Sequence, residues 1–426
     1  MITCYKNCVL LDGTRGMTAR PHMSVLVEDD RIIRVCDDSE VSGDVEFVEL
    51  GGMYLLPGLI NLHIHLPSGG KPKKKQTDNA RLVKLLMSNA VTRYVVDRMC
   101  ESYARTELMS GCTTVRTVGG VRTVDSRIRD RINRNEITGP RILAADMAVS
   151  VPGGHMAGSL AYEATSPEEA AAFVDRIADG KPDLIKLMIT GGVLDAKAVG
   201  EPGELKMPPE YVKAACDEAH RLGYSVAAHV ESPEGVRVAL ENGVDTIEHG
   251  AAPDDEIIQL FKSRGASLVA TLSPALPYAL FDRSVSYCSE MEQANGRIVF
   301  EGIIDCAKAA LENGIPVGLG TDTGCPFITH YDMWRELNYF VKYCGVSPAF
   351  ALYTATLGNA GIVGIDSETG SIEPGKSADF IVCADDPLED LSALRNLELV
   401  VMKGRAFSRP RIRKNKMIEK ELDKWL

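Results

Sequence analysis

The pattern of apolar and polar positions changes twice along the chain. Over residues 1–56, apolar runs at 8–11, 23–27, 31–35 and 45–50 are separated by turn residues such as Asp12-Gly13 and Glu28-Asp29-Asp30. Short runs punctuated in this way predict a small antiparallel β module. The same texture returns at 380–383 and 397–402, so strands from both ends are expected to build one β-sandwich domain from residues 1–56 and 366–410. Between 57 and 365 short buried runs alternate with amphipathic stretches, the mark of parallel α/β architecture. Strands are expected to end at His65, Val118, Met147, Met188, Val230, Gly250, Leu272 and Asp322. The stretch 208–223 illustrates the helices between them, with proline near its start and glycine at its end. These units predict a (β/α)8 TIM barrel over 57–365, with any chemistry gathered at the C-terminal ends of its strands. Residues 411–426 remain as a mixed basic and acidic tail, expected to be a surface helix or a subunit contact.

Composition narrows the classes of function. At 426 residues and 45% hydrophobic, the chain is long enough for a barrel of about 250 residues and a second module. A net charge of −12 disfavours general binding to nucleic acid or to an anionic membrane, since both need a basic surface. No apolar run approaches the roughly 18 residues that span a bilayer. Residues 1–11 lack a basic stretch followed by an apolar segment and cleavage site, so a cytoplasmic protein is expected. Eleven cysteines, scattered and odd in number, agree with reduced thiols rather than a disulfide framework. The expected partner is a small-molecule substrate, and a homo-oligomer is expected.

Candidate chemistry collects at the predicted strand ends. His63 and His65 close an apolar run two residues apart, and strand side chains repeat with period two, so both imidazoles share one face. His229 and His249 end the fifth and sixth strands, and Asp322 ends the eighth. Four histidines and a carboxylate converging on one mouth suit zinc, manganese or iron better than calcium. Lys186 lies inside the apolar run 184–188, where an ammonium is costly unless paired or chemically altered. Reaction of its amine with carbon dioxide would make an anionic, bidentate oxygen ligand; the alternatives are a neutral amine that donates to substrate or a head that reaches the rim. The lysine-rich loop 71–75 is either a solvated run or an attraction for an anionic substrate. Gly119-Gly120 and Gly191-Gly192 are expected to allow tight turns at the rim.

The segments 57–65, 246–250, 320–324 and 370–380 together resemble the amidohydrolase superfamily, in family order and over nearly the whole chain. Within it the chain is most similar to the imidazolonepropionase-like and metal-dependent Xaa-Pro dipeptidase branch. The resemblance implies two divalent ions, usually zinc: His63, His65 and Asp322 on the buried one, His229 and His249 on the outer one, with carboxylated Lys186 and a hydroxide bridging both. It also implies a metal-dependent hydrolase of an amide C–N bond in a small molecule such as an N-acyl amino acid or a dipeptide-like compound. Asp322 would take a proton and pass it to the leaving nitrogen, and His155 would stabilise the carbonyl oxygen. Opening of a cyclic amide or deamination of a heterocycle uses the same attack and stays open; a scaffold without chemistry is opposed by the complete ligand set. Two departures bear on substrate. The loop 153–158 keeps His155 but lacks the acid of the His-x-Asp pattern, and Glu231 stands two places after His229, where the dipeptidases carry tyrosine. Glu231 is expected either to face the substrate or to cap the next helix, and His330 to be a rim residue or a substrate contact.

Overall fold

The computed structural model describes residues 2–74 and 78–426. The chain divides into two compact units: residues 1–61, 105–115 and 331–426 make the first, and 62–104 with 116–330 the second.

The first unit is built on a single eight-stranded sheet in which strands from both ends of the chain are neighbours. Its strand order is Arg405–Ser408, Leu397–Met402, Phe380–Cys383, Tyr54–Pro57, Ile2–Leu10, Arg20–Glu28 and Arg31–Asp37, with Glu46–Glu49 also pairing with Ile2–Leu10. The nine-residue first strand serves two partners along one edge: Thr3 to Lys6 pair with Glu46–Glu49, and Val9 and Leu10 pair with Tyr54–Pro57. Between them the chain makes a local detour through Gly51 and Gly52, both in the left-handed region, and resumes the same direction, with Gly52 donating its N–H to the Asn7 carbonyl. Tyr5, Val25, Leu55, Phe380 and Val401 form the core on one face, Tyr5 meeting Phe380 edge-to-face at 4.9 Å. Burying one such ring stabilises by about 1.5–3 kcal/mol.

The tail is not a free surface segment. Its helix Lys416–Leu422, capped by the Asn415 side chain, buries Ile418 and Leu422. Fully buried Arg335 holds it in place, donating to Asp332 at 3.1 Å, Glu419 at 3.0 Å and Asp423 at 2.6 Å. A guanidinium out of water needs these carboxylates, so the expected surface helix forms with one face docked on its own chain.

In the second unit lies a seven-stranded parallel sheet, ordered Ala161–Glu163, Ala148–Ser150, Leu184–Met188, Ser225–Val230, Thr246–His249, Ser267–Ala270 and Val317–Leu319. A second ladder joins Leu59–Ile64, Cys112–Thr117 and Arg141–Leu143. Several helices start on a side-chain cap: Ser166, Ser232 and Asp254 each accept a backbone N–H three residues on, and Ser289 forms a capping box with Glu292. Short capped turns leave the strand ends clear to carry side chains.

The expected third strand is divided. After Leu143 the backbone leaves the ladder: Ala144 N–H goes to the Asp183 carboxylate, Ala145 N–H to Thr117 Oγ1, and Asp146 adopts φ 58°. Side chains satisfy the amides there, and pairing resumes at Ala148. Another difference is local: the seventh strand stops at Ala270, and Leu272 opens a helix to Leu280. Among the described residues no helix is long and apolar enough to cross a membrane. All eleven cysteines are free thiols.

Candidate metal centre

Register along the parallel sheet positions the polar side chains. Leu184 packs with Ala227, Val118 and Ala145, and Lys186 lies two residues further on the same face. Ser225–Val230 runs alongside with Met188 opposite His229, and the next strand puts Glu248 opposite His229 and His249 opposite Val230. On the other side the first and last strand segments meet at a parallel bridge between Ile64 and Thr323. There Asp322 N–H donates to the His63 carbonyl at 2.8 Å, and His65 N–H to the Thr323 carbonyl at 2.9 Å. Gly320 permits this approach, because a Cβ there would lie 2.4 Å from His63 Cβ and 2.6 Å from its backbone nitrogen. His249 and Asp322 both have left-handed backbones, at φ 67° and 53°. Such strain costs about 1–3 kcal/mol per residue and persists where surrounding structure enforces it.

These elements bring His63, His65, His229, His249, Asp322 and Lys186 together, all buried. Ring centroids are 5.4 Å apart for His63 and His65, 4.8 Å for His63 and His249, and 4.7 Å for His229 and His249. Donor atoms of His63, His249 and Asp322 all lie within 4.8 Å of one another, and so do those of His229, Glu231 and His249. His65 Nε2 is 3.2 Å from Asp322 Oδ1. These groupings differ from the implied division, since His249 belongs to both and Glu231 joins the second.

The far side of three of the rings is held, while His229 Nε2 lies 3.3 Å from the Gly191 carbonyl. His63 Nδ1 lies 2.7 Å from Glu248 and His65 Nδ1 2.8 Å from the Gly119 carbonyl. A carboxylate and a carbonyl only accept, so both Nδ1 atoms carry the proton and each Nε2 presents a lone pair inward. His249 Nδ1 is 2.6 Å from Thr271 Oγ1. Glu248 is itself gripped by Arg116 at 2.7 Å and Thr246 at 2.8 Å. Burial pushes the Glu248 carboxyl up, but Arg116 and His63 outweigh it and hold it well below the usual carboxylate range. Outer partners that set the tautomer and orientation of imidazoles are the usual support of a metal site.

Electrostatics agree with neutral, ligating imidazoles. Burial lowers His63 to about 4 and sends His229 and His249 well below the ordinary histidine value. Burial likewise brings Lys186 down to about 8, with Glu248 pulling the other way and Arg116 adding to the fall. Lys186 Nζ and Asp322 Oδ1 are closed off from solvent and lack a hydrogen-bond partner among the described residues. The unpaired Asp322 oxygen among neutral imidazoles is what a divalent cation would satisfy, and Lys186 would suit the same cation only after losing its positive charge, so the residues fit one.

His155 stacks on His229, with ring centroids 4.1 Å apart and planes within 4°. Its carboxylate partner, absent two residues on in the sequence, comes from 40 residues away: Nδ1 lies 2.5 Å from Asp195. Glu231 does not cap the following helix, because Ser232 does; Glu231 N–H instead goes to Thr190 Oγ1 at 3.0 Å. His330 is buried, stacked on Tyr103 at 4.5 Å, with Nε2 2.8 Å from the Ser68 carbonyl. In the basic loop, Lys74 lies over the Tyr287 ring at 5.6 Å, whereas Lys75 is outside the described residues. Beside Glu231 opens a cavity of about 620 Å³ whose wall also includes Glu201, Glu204, Glu234, Glu301 and Asp305.

Asp195, Glu248, Arg116, Thr271 and Cys325, whose thiol donates to Asp322 Oδ2 at 3.3 Å, were not expected at the site. For Glu248 and Arg116 a weaker signal existed than for Lys186, a charge inside a short strand of β-branched residues. Asp195 and Thr271 carry none.

Residues 54–407 match the amidohydrolase family, and the chain belongs to it: a metal-dependent hydrolase of C–N bonds. Among solved structures it is similar to a presumed prolidase from Bifidobacterium longum, 36% identical with a TM-score of 0.87 over 99% of this chain and 98% of that one. It is also similar to a Xaa-Pro dipeptidase with methionine bound in its active site, 29% identical, TM-score 0.84, covering 96% and 100% of the two chains. By sequence it is 27% identical to the ochratoxinase of Aspergillus niger over 82% of this chain and 74% of the relative.

Proposed function

We propose that His63, His65, His229, His249, Asp322 and carboxylated Lys186 hold two divalent ions, zinc first, with manganese or iron as alternatives. The proposed reaction is hydrolysis of the amide bond of a small molecule such as a dipeptide-like compound or N-acyl amino acid. One observation carries this: the imidazoles of His63, His65 and His249, each backed by its own partner, gather with two buried atoms, Lys186 Nζ and Asp322 Oδ1, that have no hydrogen-bond partner among the described residues. Bound divalent ions would supply Lewis acidity toward the carbonyl and bring the pKa of water from about 16 toward neutrality. Carboxylation joins the Lys186 nitrogen to carbon dioxide: the ammonium gives up one proton to become the amine and a second as the N–C bond forms, so a buried cation becomes an anion suited to that site.

The chain's own groups handle orientation and protons. Cys325 engages Asp322 Oδ2, leaving Oδ1 inward, and Asp322 takes a proton from the attacking water and returns it to the leaving nitrogen. His155, with Nδ1–H fixed on Asp195, stands beside His229 to stabilise charge on the carbonyl oxygen. The acidic wall beside Glu231 favours a substrate with a free amino group, hence a dipeptide-like amide over an N-acyl amino acid. Similarity to a Xaa-Pro dipeptidase supports the same direction. Ring opening of a cyclic amide is the alternative activity.

The same reading takes 57–365 as a (β/α)8 barrel, 1–56 with 366–410 as a β-sandwich domain, and 411–426 as a tail. It describes a cytoplasmic homo-oligomer. Elemental analysis with anomalous scattering, joined to a hydrolysis screen of dipeptides, N-acyl amino acids and lactams, tests it. Two ions per chain and turnover of a dipeptide are expected. One ion beside an unmodified Lys186 would overturn the two-metal reading, and turnover of lactams alone would overturn the acyclic substrate.

A further inference from the structure

We infer that Glu231 is a third protein ligand of the cation subsite at His229 and His249, able to hold an ion there whatever the state of Lys186. The inference rests on the metal reading above and adds a ligand to it.

Three observations lead to it. The donor atoms of His229, Glu231 and His249 lie within 4.8 Å of one another. Ligands about 2.0–2.2 Å from a zinc ion in a tetrahedral array are separated by roughly 3.5 Å, so small side-chain rotations about a bound ion close the set. Second, Glu231 Oε2 is shielded from solvent and has no hydrogen-bond partner among the described residues, the Val193 backbone being the donor to this carboxylate; a buried carboxylate oxygen left open is costly unless something cationic meets it. Third, the side chain is not spent on capping the next helix. Ser232 caps the next helix, and the Glu231 backbone is pinned by Thr190 Oγ1 on one side and Gly203 on the other, where a Cβ would come within 2.3 Å of the Glu231 carbonyl oxygen.

The chemistry of the set is specific. Two imidazoles and one carboxylate form a common zinc triad that leaves a fourth position open. Neighbouring Asp195 is already engaged by His155 and Gly192 N–H, so Glu231 is the carboxylate left for the ion. A carbamate on Lys186 forms and decays with the carbon dioxide supply, whereas Glu231 is always present. The subsite would therefore stay loaded when the carbamate is lost.

The test uses the full-length protein and zinc alone. Wild type and Glu231→Gln are loaded, dialysed in buffer freed of carbon dioxide or containing bicarbonate, and ions per chain are counted, with affinities from competition against a chromophoric chelator. Wild type is expected to keep both ions in either buffer. Glu231→Gln is expected to lose one without carbon dioxide, its affinity falling at least about tenfold, and to regain it in bicarbonate. Equal counts and affinities for the two proteins in both buffers would overturn the inference. If wild type binds no zinc in any buffer, the metal reading itself fails, which is a separate outcome. Anomalous scattering from zinc-loaded wild-type crystals makes the result independent of the variant's folding: Glu231 Oε2 at about 2.0–2.2 Å from the ion supports the assignment, and a carboxylate turned away overturns it.

Discussion

Glu248→Gln is the substitution that most directly tests how the histidines are held. Oε1 of Glu248 accepts from Arg116 and Thr246, and Oε2 accepts from His63 Nδ1, at 2.7, 2.8 and 2.7 Å. Glutamine keeps the shape but offers one acceptor and one donor. With its carbonyl toward Arg116, its amide group faces His63 Nδ1, and the imidazole must move its proton to Nε2, the atom that points inward. His63 is then no longer a ligand, and metal affinity should fall about 10–100-fold, the usual scale for losing an outer partner. Separately, Arg116 is left buried without its counter-charge, at a cost of about 3–5 kcal/mol. The two effects are read in different assays, urea unfolding of metal-free protein and chelator competition on folded protein. Replacing both members, Arg116→Met with Glu248→Leu, should restore much of the stability and none of the affinity. Glu248→Gln within about 0.5 kcal/mol of the parent and with unchanged affinity would refute the reasoning.

Three further outcomes follow from the geometry. Asp322→Asn should lose turnover far more than metal, because an amide oxygen can still coordinate but cannot accept the proton; near-normal turnover with metal retained would place the base elsewhere. Gly320→Ala should push the backbone of His63 aside and lower metal content while the protein stays folded, as judged by elemental analysis beside circular dichroism; full occupancy would show that the strands can part. Burial raises Asp423, but Arg335 and Arg395 prevail and hold its carboxyl below the ordinary value. Its contribution is therefore complete above about pH 4 and is lost as pH falls toward the depressed folded value. Asp423→Asn should accordingly lower the melting temperature at neutral pH and flatten its decline in acid; parallel curves for variant and parent would count against the docked tail.

Local pattern carried much of this protein. A strand's period of two was enough to pair His63 with His65 on one face, and an apolar run was enough to mark Lys186 as an anomaly. Alternation of strand and helix gave the α/β class, and proline and glycine placed the helix now seen at Pro209–Arg221 to within a residue or two. These features lie within a turn or a strand, where the forces that set them are between near neighbours.

What the tertiary structure decided involves partners far apart in the chain. His155 found Asp195 across 40 residues, His63 found Glu248 across 185, and Arg335 found Asp423 across 88. The third strand divides because Asp183 and Thr117, brought alongside only in the folded chain, take the amides that a ladder would have used. The physical reason is common to all. A buried charge or amide must be satisfied by whichever group packing delivers, so the partner is chosen by the fold and leaves no period in the sequence to read.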